Sequence, residues 1–99
     1  MESITEVVNM NQVSPDSETV YIGRPSKWGN PYKSGVDGTR NEVIKMYEVY
    51  IRNNQSLLND IEELRGKKLA CWCAPHKKCH GDILVKILNE RSIDELIVY

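Results

Sequence analysis

The 99-residue chain lacks several features, and each absence narrows what it can be. No window is apolar enough or long enough to span a bilayer. The opening stretch MESITEVVNMN has no basic-then-apolar pattern, which removes a secretory signal. A basic excess is also missing: the formal net charge of −1 argues against a general nucleic-acid binder. The 3 cysteines all fall between Cys71 and Cys79, and an odd number so closely spaced is a poor disulfide framework. These absences predict a cytoplasmic protein with reduced thiols and no membrane association. No internal repeat, low-complexity tract or complete, well-spaced catalytic set is visible.

What remains has the balance of an ordinary globular domain. The length makes one domain over residues 1–99. A chain this short forms one modest core with little room for a deep cavity, so a ligand site belongs in a surface cleft or between subunits. Weak alternation over Ile4–Val8 predicts a strand. Pro15 and Asp16 mark a turn, and Thr19–Gly23 (TVYIG) is a second strand rich in β-branched and aromatic residues. Ser34–Gly38 reads as a flexible connection. Thr39 and Glu42 fit a capping box, followed by Val43, Ile44, Tyr47, Tyr50 and Ile51 on one helical face. A second helix is predicted over about Ser56–Arg65, with Gly66 where a left-handed residue ends it. Leu69–Cys73 reads as a buried strand and Gly81–Asn89 as a third helix. The tail Ser92–Tyr99 fits either a capped helix or an edge strand. The predicted fold is therefore α/β: a small single-domain sheet of about three strands, partly parallel, packed with about three helices. In such sheets ligands sit at the carboxyl ends of strands, where two chemically rich stretches begin.

The first is Arg24–Tyr32, RPSKWGNPY. Pro25 and Pro31 stiffen it, Gly29 permits a bend, and Asn30 before Pro31 signals a turn. Arg24 offers a planar fork for carboxylate or phosphate, Lys27 a second charge, and Trp28 a face on which a nucleobase stacks. Ser26 and Asn30 add hydrogen-bonding groups. Arg24, Lys27 and Lys33 together would make a local basic pocket. The plainer alternative is that Trp28 plugs the core while Arg24 and Lys27 are solvated.

The second is Cys71–Asp82, CWCAPHKKCHGD. Cys71, Cys73, Cys79 and His80 compose a zinc set, although C-x-C and adjacent C-H differ from the usual paired knuckles. On a strand, Cys71 and Cys73 share one face and Trp72 takes the other. A second reading makes Cys79 or His80, at a helix start, the reactive group, with Asp82 as acid–base partner. A third makes the cysteines small buried hydrophobes and Cys79–Asp82 a helix cap. His76, beside Lys77 and Lys78, belongs to solvent.

Val20–Tyr32 (VYIGRPSKWGNPY), Glu63–Cys73 (ELRGKKLACWC) and the P-x3-CHGDIL run from Pro75 to Leu84, with Arg40, Ile44 and Tyr47 between, resemble a family of phages and bacteria known as domain of unknown function 4326. The resemblance spans about residues 19–90. It implies a compact α/β domain whose Arg/Trp/Asn loop and Cys/His loop converge, in a phage or bacterial cytoplasm. It carries no catalytic mechanism.

The expected function is binding of an anionic, nucleotide-like small molecule by Arg24, Ser26, Lys27, Trp28, Asn30, His80 and Asp82. In a phage setting such a protein would sequester a host nucleotide signal. One alternative is a nucleotide- or nucleoside-processing enzyme with Cys79, His80 and Asp82 as catalytic groups. The other is a zinc-stabilised interaction module using Cys71, Cys73, Cys79 and His80. Tyr47, Tyr50, Ile51 and the LIVY tail offer apolar surface for a homodimer.

Overall fold

The structure, a computed structural model, describes residues 5–10, 18–72 and 79–97, with side chains of the last helix described through residue 91. Three strands, β1 (Glu6–Asn9), β2 (Thr19–Tyr21) and β3 (Lys68–Cys71), form one sheet in the order β1-β3-β2. Both pairings are parallel: Glu6 and Thr19 each stand opposite Lys68, and Val7 and Val20 each stand opposite Leu69. The sheet is thus parallel throughout its described strands. As the middle strand, β3 is covered on both faces, and its Leu69, Ala70 and Cys71 are all buried. That environment selects a continuous apolar run rather than alternation.

Parallel neighbours require a crossover, and β2 reaches β3 through α1 (Arg40–Arg52), α2 (Gln55–Asp60) and a short 3-10 turn (Ile61–Leu64). The capping box is present: Thr39 Oγ1 accepts from Glu42 N–H, and Glu42 Oε1 accepts from Thr39 N–H. Helix α1 buries Val43, Tyr47 and Ile51, and the two aliphatic side chains are each worth about 1.5–3 kcal/mol on removal from water. The predicted helix over 56–65 divides into α2, capped by the Asn54 side chain, and the 3-10 turn. Gly66 closes it at φ 77°. The Ser34–Gly38 connection is an ordered turn: Asp37 Oδ2 accepts from Lys33 N–H, and Gly35 takes φ 85°.

Helix α3 (Gly81–Ile97) extends well past the predicted end at Asn89, because residues 89–97 contain no glycine or proline to stop it. The edge-strand reading of the tail is therefore corrected through Ile97; Val98 and Tyr99 lie outside the described residues. Two ion networks dock α3. Glu48 on α1 pairs with Arg52 and Lys86, while Arg52 also holds Glu90. Glu62 pairs with Arg65 and Arg91. At its first residue, Gly81 lets the helix approach the sheet: a Cβ there would lie 2.7 Å from Ile22 Cδ1 and 3.0 Å from Val7 Cγ2.

Candidate functional site

Strands β2 and β3 run parallel with Tyr21 opposite Ala70, so the chain leaves both at the same edge of the sheet. The RPSKWGNPY loop starts there from β2, and Cys71 and Trp72 leave β3 beside it. The start of α3 returns to the same edge, where His80 Nε2 donates to the Ile22 carbonyl at 2.7 Å. Between them lies a cleft of about 450 Å³. Its lining comprises Tyr21, Gly23, Arg24, Asn30, Tyr32, Ser34, Arg40, Val43, Ile44, Cys71, Trp72, Cys79 and His80. The two rich stretches therefore face one space.

They contribute to it unequally. Of the first stretch, Arg24, Asn30 and Tyr32 reach the cleft. Trp28 does not: it is only 2% exposed and belongs to the main core. Its expected stacking role is corrected, because the loop folds back on itself through Ser26 N–H to Gly23 and Gly29 N–H to Ser26. Tyr47 reinforces that return, its phenol donating to the Trp28 carbonyl at 2.6 Å. Burial holds the Tyr47 phenol far above its usual pKa range, so it stays a donor.

Lys27 is also not a cleft residue. Its ammonium lies 3.1 Å from Asp60 Oδ2 and 2.9 Å from Glu63 Oε1, and those hydrogen bonds raise its pKa. The loop is thereby tied to the end of α2 and the 3-10 turn. Lys33 is exposed and absent from the lining, so the predicted trio of Arg24, Lys27 and Lys33 gives way to Arg24 with Arg40. Asn30 lines the cleft while bracing it: its amide donates to Val43 carbonyl and its oxygen accepts from Tyr32 N–H. The Ser26 hydroxyl is buried, away from the lining, with no hydrogen-bond partner among the described residues.

The second stretch presents Cys71, Trp72, Cys79 and His80 to the cleft. Cys73 and His76 lie outside the described residues. Cys71 Sγ and Cys79 Sγ are 2.9 Å apart, and Cys79 Sγ also receives Gly81 N–H at 3.4 Å. A carbonyl only accepts, so the Ile22 contact puts the proton of a neutral His80 on Nε2. His80 Nδ1, 3.6 Å from Cys79 Sγ, then carries a lone pair. Burial is the main cause lowering the His80 pKa, with the Arg24 charge also lowering it, against the Ile22 hydrogen bond and Asp82. The ring stands edge-on to Tyr47 at 5.0 Å. Asp82 is exposed and absent from the lining; its carboxylate accepts from Cys79 N–H at 3.3 Å. The expected placement of Asp82 as a cleft group beside His80 is therefore corrected: it caps the start of α3.

Among the described residues no three or more of His, Cys, Asp or Glu are grouped so that they could hold a metal ion. The two sulfurs are closer than the roughly 3.7 Å that tetrahedral geometry with Zn–S bonds of about 2.3 Å requires.

With this geometry in hand, the comparisons decide the lineage. The model of the family described as "Domain of unknown function (DUF4326)" matches residues 7–90. The chain belongs to this family. Its DUF4326 relatives include an uncharacterized 12.4 kDa protein from the nrdA–td intergenic region of Enterobacteria phage T4. That protein is 35% identical over 83 residues, covering 80% of this chain and 75% of its own length. An uncharacterized protein of Acanthamoeba polyphaga mimivirus is 33% identical over 96 residues, covering 80% of this chain and 72% of its own length. No solved structure gives a significant match. The match extends the DUF4326 core N-terminally beyond the expected 19–90 to include Val7–Asn9 of β1.

The motifs do not single out several lining residues, of which Arg40, Tyr32 and Trp72 carry charge or a ring. Arg40 sits at the first turn of α1, Tyr32 ends the loop, and Trp72, 59% exposed, was assigned only to the face opposite the cysteines. Cys71 and Trp72 both line the cleft because the strand ends at Cys71, and beyond it the alternating pattern no longer fixes direction. The apolar face suggested for dimerisation is used internally: Tyr47 and Ile51 are fully buried and Tyr50 packs against the same core. No helix among the described residues is long and apolar enough to cross a membrane.

Proposed function

We propose that the DUF4326 cleft binds a small anionic, nucleotide-like molecule. One observation carries this reading: in a chain of net charge −1, the described cleft lining holds two arginines and no carboxylate. A local positive surface of this kind concentrates anions regardless of net charge. Arg24 supplies the fork for a phosphate, with Arg40 as a second cation in the same lining. With Trp28 in the core, the exposed indole of Trp72 and the ring of Tyr32 supply the stacking faces. A volume of about 450 Å³ suits a nucleoside phosphate-sized ligand.

Binding is favoured over catalysis by how the candidate acid–base groups are engaged. His80 Nε2 is tied to the Ile22 carbonyl and Asp82 to Cys79 N–H, which leaves no His–Asp pair facing a substrate. In a host infected by a phage encoding such a protein, the domain would act in the cytoplasm and sequester a nucleotide signal.

Calorimetry against nucleosides and their mono-, di- and triphosphates tests the proposal. Arg24→Ala should weaken phosphate-bearing ligands at least tenfold with an unchanged melting temperature. Trp72→Ala should weaken nucleosides and nucleotides alike, by about 1–3 kcal/mol. Absence of binding by every phosphate-bearing ligand, or an Arg24→Ala affinity equal to wild type, defeats the reading. Mass spectrometry of the ligand after long incubation should return it unchanged; a product would favour the enzyme.

A further inference from the structure

We propose that Cys71 and Cys79 are an oxidation-sensitive pair in the cleft wall, joining as a reversible disulfide when a peroxide reaches them. The structure holds both as thiols. Their sulfurs lie 2.9 Å apart although they belong to different elements: Cys71 ends β3, and Cys79 stands two residues ahead of α3. From that contact, side-chain torsions suffice to reach a bonding distance of about 2.05 Å. Each residue is only 2% exposed, yet both belong to the cleft lining, an arrangement that admits a small oxidant. In a protein whose thiols otherwise stay reduced, a disulfide of this kind is transient and signals oxidation.

Two neighbours mark Cys79 as the thiol that reacts first. Gly81 N–H donates to its sulfur at 3.4 Å, a hydrogen bond that stabilises negative charge there. His80 Nδ1 stands 3.6 Å from the same sulfur and carries a lone pair, because Nε2–H is committed to the Ile22 carbonyl at 2.7 Å. An N–H donor and a base thus address one thiol, and the thiolate is the nucleophile in thiol chemistry.

The oxidation runs in two steps. Cys79 Sγ attacks one oxygen of hydrogen peroxide, the O–O bond breaks, and the departing hydroxide takes the proton given up by the thiol and leaves as water. The sulfenic acid formed on Cys79 is then attacked by Cys71 Sγ: the S–S bond forms, the S–O bond breaks, and hydroxide leaves with the Cys71 proton as a second water. Two thiols have lost two electrons and one peroxide has gained them. A dithiol reverses the bond by exchange. The disulfide ties the end of β3 to the start of α3 and closes residues 71–79 into a ring that carries Trp72, so oxidation alters the cleft wall at its exposed indole. This inference does not rest on nucleotide binding.

The test takes the full chain, reduced and then freed of reductant, through hydrogen peroxide, capping with a maleimide and peptide mapping without reduction. Tandem mass spectrometry of the wild-type digest should place the bond between Cys71 and Cys79. It should form about tenfold faster than glutathione is oxidised at the same peroxide concentration, and dithiothreitol should restore both thiols. Cys73→Ser should form the bond at the wild-type rate. In Cys71→Ser, dimedone should capture a sulfenic acid on Cys79. A wild-type rate no faster than that of glutathione, a bond that engages Cys73, or oxidation that dithiothreitol fails to reverse overturns the proposal. So does a Cys71→Ser protein in which dimedone labels Cys73 and not Cys79. All readouts are taken without nucleotide, so failure of ligand binding leaves them intact.

Discussion

The two sequence stretches that meet at the cleft look alike in richness but differ in how their side chains are used. In Arg24–Tyr32 most polar and aromatic groups hold the loop itself. Trp28 enters the core, Lys27 clamps Asp60 and Glu63, and Asn30 links Val43 to Tyr32. Arg24 is the charged group of that stretch left at the cleft. In the described part of the second stretch, Cys71, Trp72, Cys79 and His80 all face the cleft. A loop at the cleft of a small domain has no thick scaffold beneath it, so it must provide its own. Unusual composition marks such a loop without saying which residues bind and which brace.

The sharpest way to break this comparison is Trp28→Ala. If the indole is core, the variant loses about 3–5 kcal/mol in denaturant unfolding, a large part of the stability of a domain this size. A stable variant with selectively lost ligand affinity would return Trp28 to the binding face. Tyr47→Phe comes next, since it leaves the buried Trp28 carbonyl without the phenol donor; about 1–3 kcal/mol should be lost, read from the same unfolding midpoint.

A smaller effect is expected from acid. Hydrogen bonds from Arg52 and Lys86 lower the Glu48 pKa, and those from Arg65 and Arg91 lower that of Glu62. Because the folded values lie below the unfolded value of about 4.5, the stabilisation is complete above that pH and is lost as pH falls through the folded values. Urea midpoints measured on both sides of pH 4.5 should show the decline, and Glu48→Gln should flatten it. The smallest effect belongs to Lys27→Ala, an exposed pair worth at most about 1 kcal/mol, with nucleotide affinity unchanged. A large affinity loss there would mean that the charge works at the cleft after all.

Local patterns were legible wherever neighbouring residues determine the outcome. The Thr39/Glu42 box and the left-handed Gly66 each depend on contacts within a few residues, and the apolar run of β3 is itself contiguous in the sequence. The convergence of both stretches followed from their positions after parallel strands. What was not legible depends on tertiary placement. A tryptophan in a loop has the same one-dimensional signature whether it stacks on a ligand or fills a core. Arg40 reads as a helix-start residue, and only the fold brings it into the same cleft lining as Arg24. Asp82 two residues after His80 suggested a pair, but the start of a helix offers a carboxylate nearer N–H groups.

The order β1-β3-β2 has a consequence for how the chain acquires its shape. Neither outer strand pairs with the other among the described residues; each pairs with β3. During synthesis, then, β1 and β2 must wait without their ladder until Lys68–Cys71 leaves the ribosome. Helix α1, with its cap and local ion pairs, is free to form early, whereas both strand pairings close across long stretches of chain. The strand that arrives last completes the sheet and brings Cys71 to the cleft, which closes only when the start of α3 adds Cys79 and His80.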